Sequence, residues 1–507
     1  MNKRIICAII SLCICISLIG CAPKKIDIFT EDATNSPSVS HKPPNHNNKD
    51  NDEDASEEVS TSNTEADKFE NAFVKTEENP LSEVSLSTSK ASYWYFRTLV
   101  NRGYTFEQLQ KCSYGFKIEE FLNYFDFEVD GSDGALFKVG QTLFDCPWNS
   151  DTKLYSVTVR TREAELDAPN NFVFCIDVSE SMAREDVLPL FKSIFSSFVS
   201  SLDEYDTVSI VICPGKPEVV LDGCQGDESA KILAAIDRVE ISSGTNSSID
   251  LEMAYAVAEK HFIDGGNNQV IIVSDGDISS RHSSFVEEKA EDGILTSVLG
   301  LGYSNYKNEK LESFAIAGQG RYYYIDCESQ GVRIMGEEIF KRVVCEFESV
   351  IAKLEFDSKY ISEYRLIGYT QQSAGEGEPT DPAANSGVYA GDVMTLCYEL
   401  RFADGYVPED EKFASLKIEG IHTENGSKIM RPVSALTNIY AYESDDDMIF
   451  MSALIEAVMV FQKSEYIGNL TLNDILLDLQ GLDFEEHPER AEFVELLEKI
   501  AYPEKDK

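Results

Sequence analysis

Three short segments of this chain carry closely spaced oxygen-bearing side chains: Asp177-Val178-Ser179-Glu180-Ser181, Ser243-Gly244-Thr245-Asn246 and Ser274-Asp275-Gly276-Asp277. Ser179, Ser181 and Thr245 offer neutral hydroxyls, and Asp177 and Asp275 offer carboxylates. That set suits a hard divalent cation, which takes about six oxygens and commonly keeps several waters. With few formal negatives around it, such an ion retains much of its positive charge and draws an anionic oxygen from outside. The chemistry is that of a docking site, not of a closed structural cage. DxSxS alone also reads as a capped helix start, where Ser and Asp are favoured anyway. The specific signal is three segments in this order.

For the segments to converge, strands must end where they begin. The apolar runs at 172–176, 207–213, 269–274, 294–301 and 321–325 predict strands. Helical spacing predicts helices at 188–202, 231–239, 251–262 and 331–345. Strands alternating with helices give an α/β fold, a doubly wound, mostly parallel, Rossmann-like sheet. In such a sheet the ligand crevice lies at the carboxyl ends of the strands, where DxSxS and SDGD stand.

The flanks read differently. Strands are predicted at 136–142 and 153–160 before the α/β segment, and alternating runs at 352–356, 364–369, 392–401 and 414–418 predict antiparallel β after it. Neither flank has enough strands to cover a core by itself. The expectation is therefore one β-sandwich built from both flanks, with the α/β domain inserted and its ends near Asn170 and Phe347 close together. Helices are expected at 91–101, 117–125, 448–461 and 491–501, giving a helical C-terminal part. Asp130-Gly131-Ser132-Asp133-Gly134 lacks the spacing and terminal Glu of a calcium loop and reads as a hairpin turn.

The order and spacing of the three oxygen-bearing segments resemble the von Willebrand factor A (VWA) domain and its metal-ion-dependent adhesion site, over about residues 170–345. Asp177, Ser179, Ser181, Thr245 and Asp275 match the family's metal residues one by one, which implies Mg²⁺ (or Mn²⁺ or Ca²⁺) as cofactor. Further runs resemble the bacterial YfbK-like group of A-domain lipoproteins: Ala91-Ser92-Tyr93, residues 118–125 (IEEFLNYF), Cys146-Pro147-Trp148-Asn149, Gly265-Gly266-Asn267-Asn268 and residues 364–369 (YRLIGY). Two departures stand out. Glu180 replaces the Gly usual between the two serines, and residues 84–89 stand where the family often has an acidic stretch. Alternation within DxSxS predicts that Glu180 faces solvent; the sharper alternative is that it leans over the metal.

The chain has 507 residues and a net charge of −45, with 44 Lys plus Arg against 89 Asp plus Glu. That balance argues against nucleic-acid binding and predicts repulsion from anionic lipid surfaces. Lys3 and Arg4 followed by the apolar run 5–19 read as a signal peptide over 1–20, too short to span a membrane. It ends in Leu18-Ile19-Gly20-Cys21, which resembles the bacterial lipobox and makes Cys21 the expected lipidation site on an extracytoplasmic, lipid-anchored protein. Residues 26–80 hold fourteen acids against four Lys, so 21–80 reads as a disordered acidic linker. The remaining expected divisions are an N-terminal VWA-associated region at 81–168, the VWA domain at 169–347 and a C-terminal β-rich plus helical domain at 348–507. Eight scattered mature cysteines without a CxxC do not suggest a disulfide framework, and Cys175 and Cys213 read as buried small hydrophobes.

The chain carries no GxSxG, HExxH or GxxxxGK[ST], and its six His do not cluster. An enzyme is therefore not expected. The expected function is a cell-surface binding protein that grips an acidic side chain of a protein partner through a divalent cation. The alternatives are a structural envelope scaffold with a degenerate metal site, and a metal-dependent hydrolase around Asp177, Asp275 and Asp277.

Overall fold

The structure, a computed structural model, describes residues 70–129, 136–163, 168–213, 217–242, 251–276, 282–303, 305–306, 308–341, 343–369, 387–423 and 426–503. Ahead of the insert run β1 (Val74–Lys75), β2 (Leu81–Leu86), α1 (Ala91–Asn101), α2 (Phe106–Cys112), α3 (Ile118–Leu122), β3 (Phe137–Asp145) and β4 (Lys153–Thr161). The insert holds β5 (Asn170–Asp177), α4 (Leu188–Ser201), β6 (Thr207–Cys213), β7 (Glu218–Gln225), α5 (Ser229–Asp237), α6 (Glu252–Lys260), β8 (Asn267–Ser274), α7 (Ser283–Glu291), β9 (Ile294–Leu301), α8 (Glu309–Ala317), β10 (Gln319–Ile325) and α9 (Glu328–Gly336). After it come β11 (Cys345–Phe356), β12 (Ile361–Ile367), β13 (Val388–Tyr389), β14 (Val393–Phe402), β15 (Lys412–His422), β16 (Lys428–Leu436), α10 (Asp446–Gln462), α11 (Leu472–Asp478) and α12 (Pro488–Ala501).

The insert is a six-stranded sheet in the order β10-β9-β8-β5-β6-β7, parallel except for the antiparallel edge strand β7. Every residue of β5 and β8 is buried. Phe172, Phe174 and Ile176 pack on one face with α4, while Val173 and Cys175 pack on the other with α6. Burial on both faces is why these strands read as continuous apolar runs.

The flanks fold together. β4 lies between β14 and β3 in one sheet, and β2 pairs with β11 in the other. One core joins them, with Val84, Leu86, Val157 and Val159 from before the insert packed with Phe347, Leu354, Leu366 and Leu396 from after it. At the insert's ends, Arg162 Nε donates to Glu346 Oε1 at 2.6 Å. The helices also combine across the insert. α1 and α3 share a core with α10, α11 and α12 through Tyr93, Phe96, Phe121, Phe450, Phe461 and Phe493.

Some sequence expectations need correction. Folded chain is present by residue 70, inside the stretch read as linker. β1 pairs with β12, and Asn71 Nδ2 donates to Leu366 O at 2.9 Å and Tyr369 O at 2.8 Å. These long-range backbone bonds leave no trace in local composition. The helix expected over 331–345 ends at Gly336, and Cys345 opens a twelve-residue strand. There Ala390 N donates to Val344 O at 2.9 Å, a tertiary pairing that overrides the local apolar spacing. Strands β7 and β16 and helices α7 and α8 carried too weak a period to be read. The turn expected at 130–134 lies outside the described residues.

Candidate metal-binding site

The sheet order makes β5 the point where connections leave in opposite directions, to β6 on one side and through β8 on the other. The carboxyl ends of β5 and β8 therefore border the crevice natural to this fold. Asp177 is the last residue of β5, and Asp275 follows the last residue of β8.

The DxSxS turn is built by its own groups. Asp177 Oδ1 accepts the Ser179 amide at 2.8 Å, which breaks the strand direction. Val178 N donates to Cys213 O at 2.7 Å, holding the turn to the neighbouring strand. A short 3-10 helix follows over Glu180–Ala183, and buried Met182 pins it to the core. Ser179 Oγ and Ser181 Oγ consequently lie 3.1 Å apart. Ser181 Oγ donates to Asp275 Oδ1 at 2.8 Å, and Ser274 Oγ donates to Asp177 Oδ2 at 3.3 Å. The carboxylates form a buried floor, 8% exposed at Asp177 and 9% at Asp275. Ser179 is half-buried and Ser181 is exposed at the rim.

Thus Asp177, Ser179, Ser181 and Asp275 come together. Thr245 lies outside the described residues, as do Asp277 and Cys21. The segment leading to Thr245 is tied to the turn, since Ser242 N donates to Val178 O at 2.8 Å. Burial pushes the Asp177 carboxyl above its ordinary range; the Ser179 amide and hydroxyl oppose that shift, and the Asp275 charge reinforces it. Glu180 is exposed and makes no hydrogen bond or ion pair among the described residues.

Sequence reading missed Arg184. Its Nη1 lies 3.2 Å from Asp275 Oδ2 and its Nε donates to Asp186 Oδ1 at 3.1 Å. The available signal was Arg184-Glu185-Asp186 directly behind the turn, a pattern too common in acidic chains to stand out. Apart from Arg184, the donor set is all oxygen and fits a hard cation. Among the described residues no group of three or more His, Cys, Asp or Glu could hold a metal, so a cation here would rest on the two carboxylates supplemented by hydroxyls and water.

Comparison with known proteins agrees with this architecture. The von Willebrand factor type A domain model matches residues 172–277, a model described as von Willebrand factor matches 60–156, and the C-terminal model of uncharacterized protein YfbK matches 347–502. The chain is 29% identical to uncharacterized protein YfbK of Escherichia coli K12 over 468 residues, covering 85% of this chain and 79% of that protein. It is 24% identical to uncharacterized protein sll0103 of Synechocystis over 192 residues, 37% of this chain and 45% of that one. Among solved structures, the von Willebrand factor type A protein of Catenulispora acidiphila is 13% identical, with a TM-score of 0.33 over 74% of this chain and 91% of that one. The insert is thus a von Willebrand factor type A domain by its sheet and its family-model match, and the chain as a whole is similar to uncharacterized protein YfbK along most of its length.

Proposed function

We propose that the chain is a non-catalytic binding protein of the cell envelope. Asp177, Ser179, Ser181 and Asp275 would hold a divalent cation, Mg²⁺, Mn²⁺ or Ca²⁺, and the resemblance adds Thr245 as a fifth ligand. The partner is a protein presenting an acidic side chain. The observation that supports this reading best is the convergence of two hydroxyls and two carboxylates from separate strand ends, with the serines at the rim. A bound cation would supply an electrophilic centre for an external carboxylate oxygen.

The protein's own residues prepare that role. Asp177 spends one oxygen on the Ser179 amide, which fixes the turn that brings the Ser179 hydroxyl beside that of Ser181 and the Ser181 hydroxyl onto Asp275. The buried floor keeps both carboxylates from full hydration, so their charges are screened less than in water. Cys21 would carry the lipid anchor, and the acidic segment after it would hold the folded part away from the membrane. Among the described residues no helix is long and apolar enough to cross a membrane.

The test is thermal unfolding of the full chain in chelator and in Mg²⁺ or Mn²⁺. A cation that binds only the folded state adds about 2.7 kcal/mol at a hundredfold excess over Kd. The gain should vanish in Asp177→Ala. An equal gain in wild type and Asp177→Ala sinks the site. Separately, Cys21→Ala should abolish labelling by an alkyne fatty acid, and a labelled variant places the anchor elsewhere.

A further inference from the structure

Both oxygens of Asp275 are engaged. Oδ1 accepts the Ser181 hydroxyl at 2.8 Å, and Oδ2 faces Arg184 Nη1 at 3.2 Å. The first contact gives way by rotation of a hydroxyl, which can turn a lone pair toward a cation while its oxygen stays in place. The second does not, because a guanidinium is a permanent cation with donors only.

The posture of Arg184 is built into the fold. Asp186 holds its Nε at 3.1 Å, and the Tyr303 amide donates to the other oxygen of Asp186 at 3.3 Å. The guanidinium carbon sits 5.3 Å from the centre of the Tyr303 ring. Residue 302 is a glycine with φ +80°, and a Cβ there would lie 2.5 Å from Arg184 Nη2. Nη2 itself is buried with no hydrogen-bond partner among the described residues. A buried unsatisfied donor is unfavourable, so this geometry is not simply the arginine's own best arrangement. Asp186, Tyr303 and Gly302 together hold the charge against Asp275.

We infer that Arg184 is a built-in counter-cation that holds down the affinity of this site for divalent ions and keeps the charge it offers them near −1. The inference rests on the functional reading above. Two carboxylates would present −2, and the guanidinium on Asp275 removes one of those charges. A site so discounted fills only where divalent ions are abundant. The ion it then takes up is less neutralised by its ligands and draws an external carboxylate more strongly. Arg184 acts through Asp275, so it is a positioning and affinity-setting residue, not a ligand.

The experiment is Mn²⁺ titration of the full chain, read by the electron paramagnetic resonance of free Mn²⁺, in wild type, Arg184→Met, Arg184→Lys and Asp177→Ala. A unit positive charge about 6 Å from a divalent ion in a water-like dielectric opposes binding by about tenfold in Kd. Arg184→Met should therefore bind Mn²⁺ about tenfold tighter, with the difference shrinking as salt rises. Arg184→Lys, which keeps the charge, should stay within about twofold of wild type. Asp177→Ala should not bind. If Arg184→Met binds as wild type or more weakly while Asp177→Ala still loses the ion, the inference is overturned and the metal site stands. If wild type and every variant fail to take up Mn²⁺, the metal site itself falls and the inference with it. Circular dichroism of Arg184→Met checks that the comparison is between folded proteins, and Arg184→Gln repeats it with a polar side chain should the Met variant misfold.

Discussion

Arg365 donates through Nε and Nη2 to one oxygen of Glu399, at 3.0 and 2.6 Å, with both side chains buried. The other Glu399 oxygen accepts Thr152 Oγ1 at 2.8 Å and Asn149 Nδ2 at 3.0 Å. The Tyr466 ring covers the guanidinium, 4.0 Å from its carbon to the ring centre. The pair thus ties β12, β14, the turn before β4 and the segment after α10. Removing the Glu399 charge leaves Arg365 with the more distant Glu70, 3.6 Å from its Nη1, and breaking such a buried pair from one side costs about 3–5 kcal/mol. Glu399→Gln should lower urea stability by that amount, and adding Arg365→Met should restore part of it. A loss no larger than that of Glu78→Gln, in the exposed Lys75–Glu78 pair, would falsify this weight.

The same pair shows what the sequence could and could not tell. The α/β insert was legible because β5 and β8 are buried on both faces and each strand end carries an uncommon polar motif. The runs 146–149, 364–369, 118–125 and 91–93 were legible as family signatures, but their role was not. They meet in space as a scaffold. Trp148 and Asn149 reach Glu399, Ser92 donates its amide to Glu120 Oε2 at 2.7 Å, and Thr395 N donates to Asn123 Oδ1 at 2.9 Å. Gly368 has φ +79°, and a Cβ there would lie 2.8 Å from Glu119. Pairings across hundreds of residues have no local period, so β1 and the mixed helical core escaped sequence reading. Arg184 escaped it for another reason: nothing in its neighbours' types says that it folds back onto Asp275.

Glu456 makes stability depend on pH. It is 1% exposed in the apolar helix α10, and its Oε1 has no hydrogen-bond partner among the described residues. Burial, and then the charges of Asp478 and Asp474, push its carboxyl up to about 8. A carboxyl whose folded value lies above its unfolded one binds more protons in the folded state. Its effect is therefore absent below about pH 4.5, and stability falls as pH rises from there through 8. Glu456→Gln should gain stability relative to wild type across that window, by a few kcal/mol at pH 9, and should differ little at pH 4. A wild-type-minus-variant difference that stays flat with pH in chemical denaturation would contradict this.

The two serine hydroxyls should matter only when a cation is present. The Ser179 backbone amide bonds Asp177 in addition to the hydroxyl, so Ser179→Ala keeps the bond that forms the turn and loses only the side-chain one. Ser181→Ala loses the bond to Asp275 Oδ1 at an exposed position. In chelator each variant should melt within about 1 kcal/mol of wild type. With Mg²⁺ each should lose part of the cation-dependent gain, while Ser193→Ala on the exposed face of α4 keeps all of it. Full retention of the gain in both site variants would remove the hydroxyls from the ligand set.

Glu180 supplies the complementary case to Arg184, a charge next to the site that should do little. It is exposed and unpaired among the described residues, at the start of the short helix between Ser179 and the core-facing Met182. A solvent-facing carboxylate about 10 Å from a divalent ion counts for roughly 0.8 kcal/mol in water, and salt, which screens an exposed charge over about 8 Å at physiological strength, cuts that further. Glu180→Gln should therefore shift Mn²⁺ affinity by less than about threefold, and the shift should vanish near 1 M salt, where the screening length falls to about 3 Å. Glu180→Gly restores the residue usual in the family but adds backbone freedom, which costs at most about 1 kcal/mol of stability. Comparing the two separates charge from flexibility. If Glu180→Gln instead changes Mn²⁺ affinity tenfold and keeps that change at high salt, the carboxylate leans over the cation in solution and must be counted with Asp177 and Asp275.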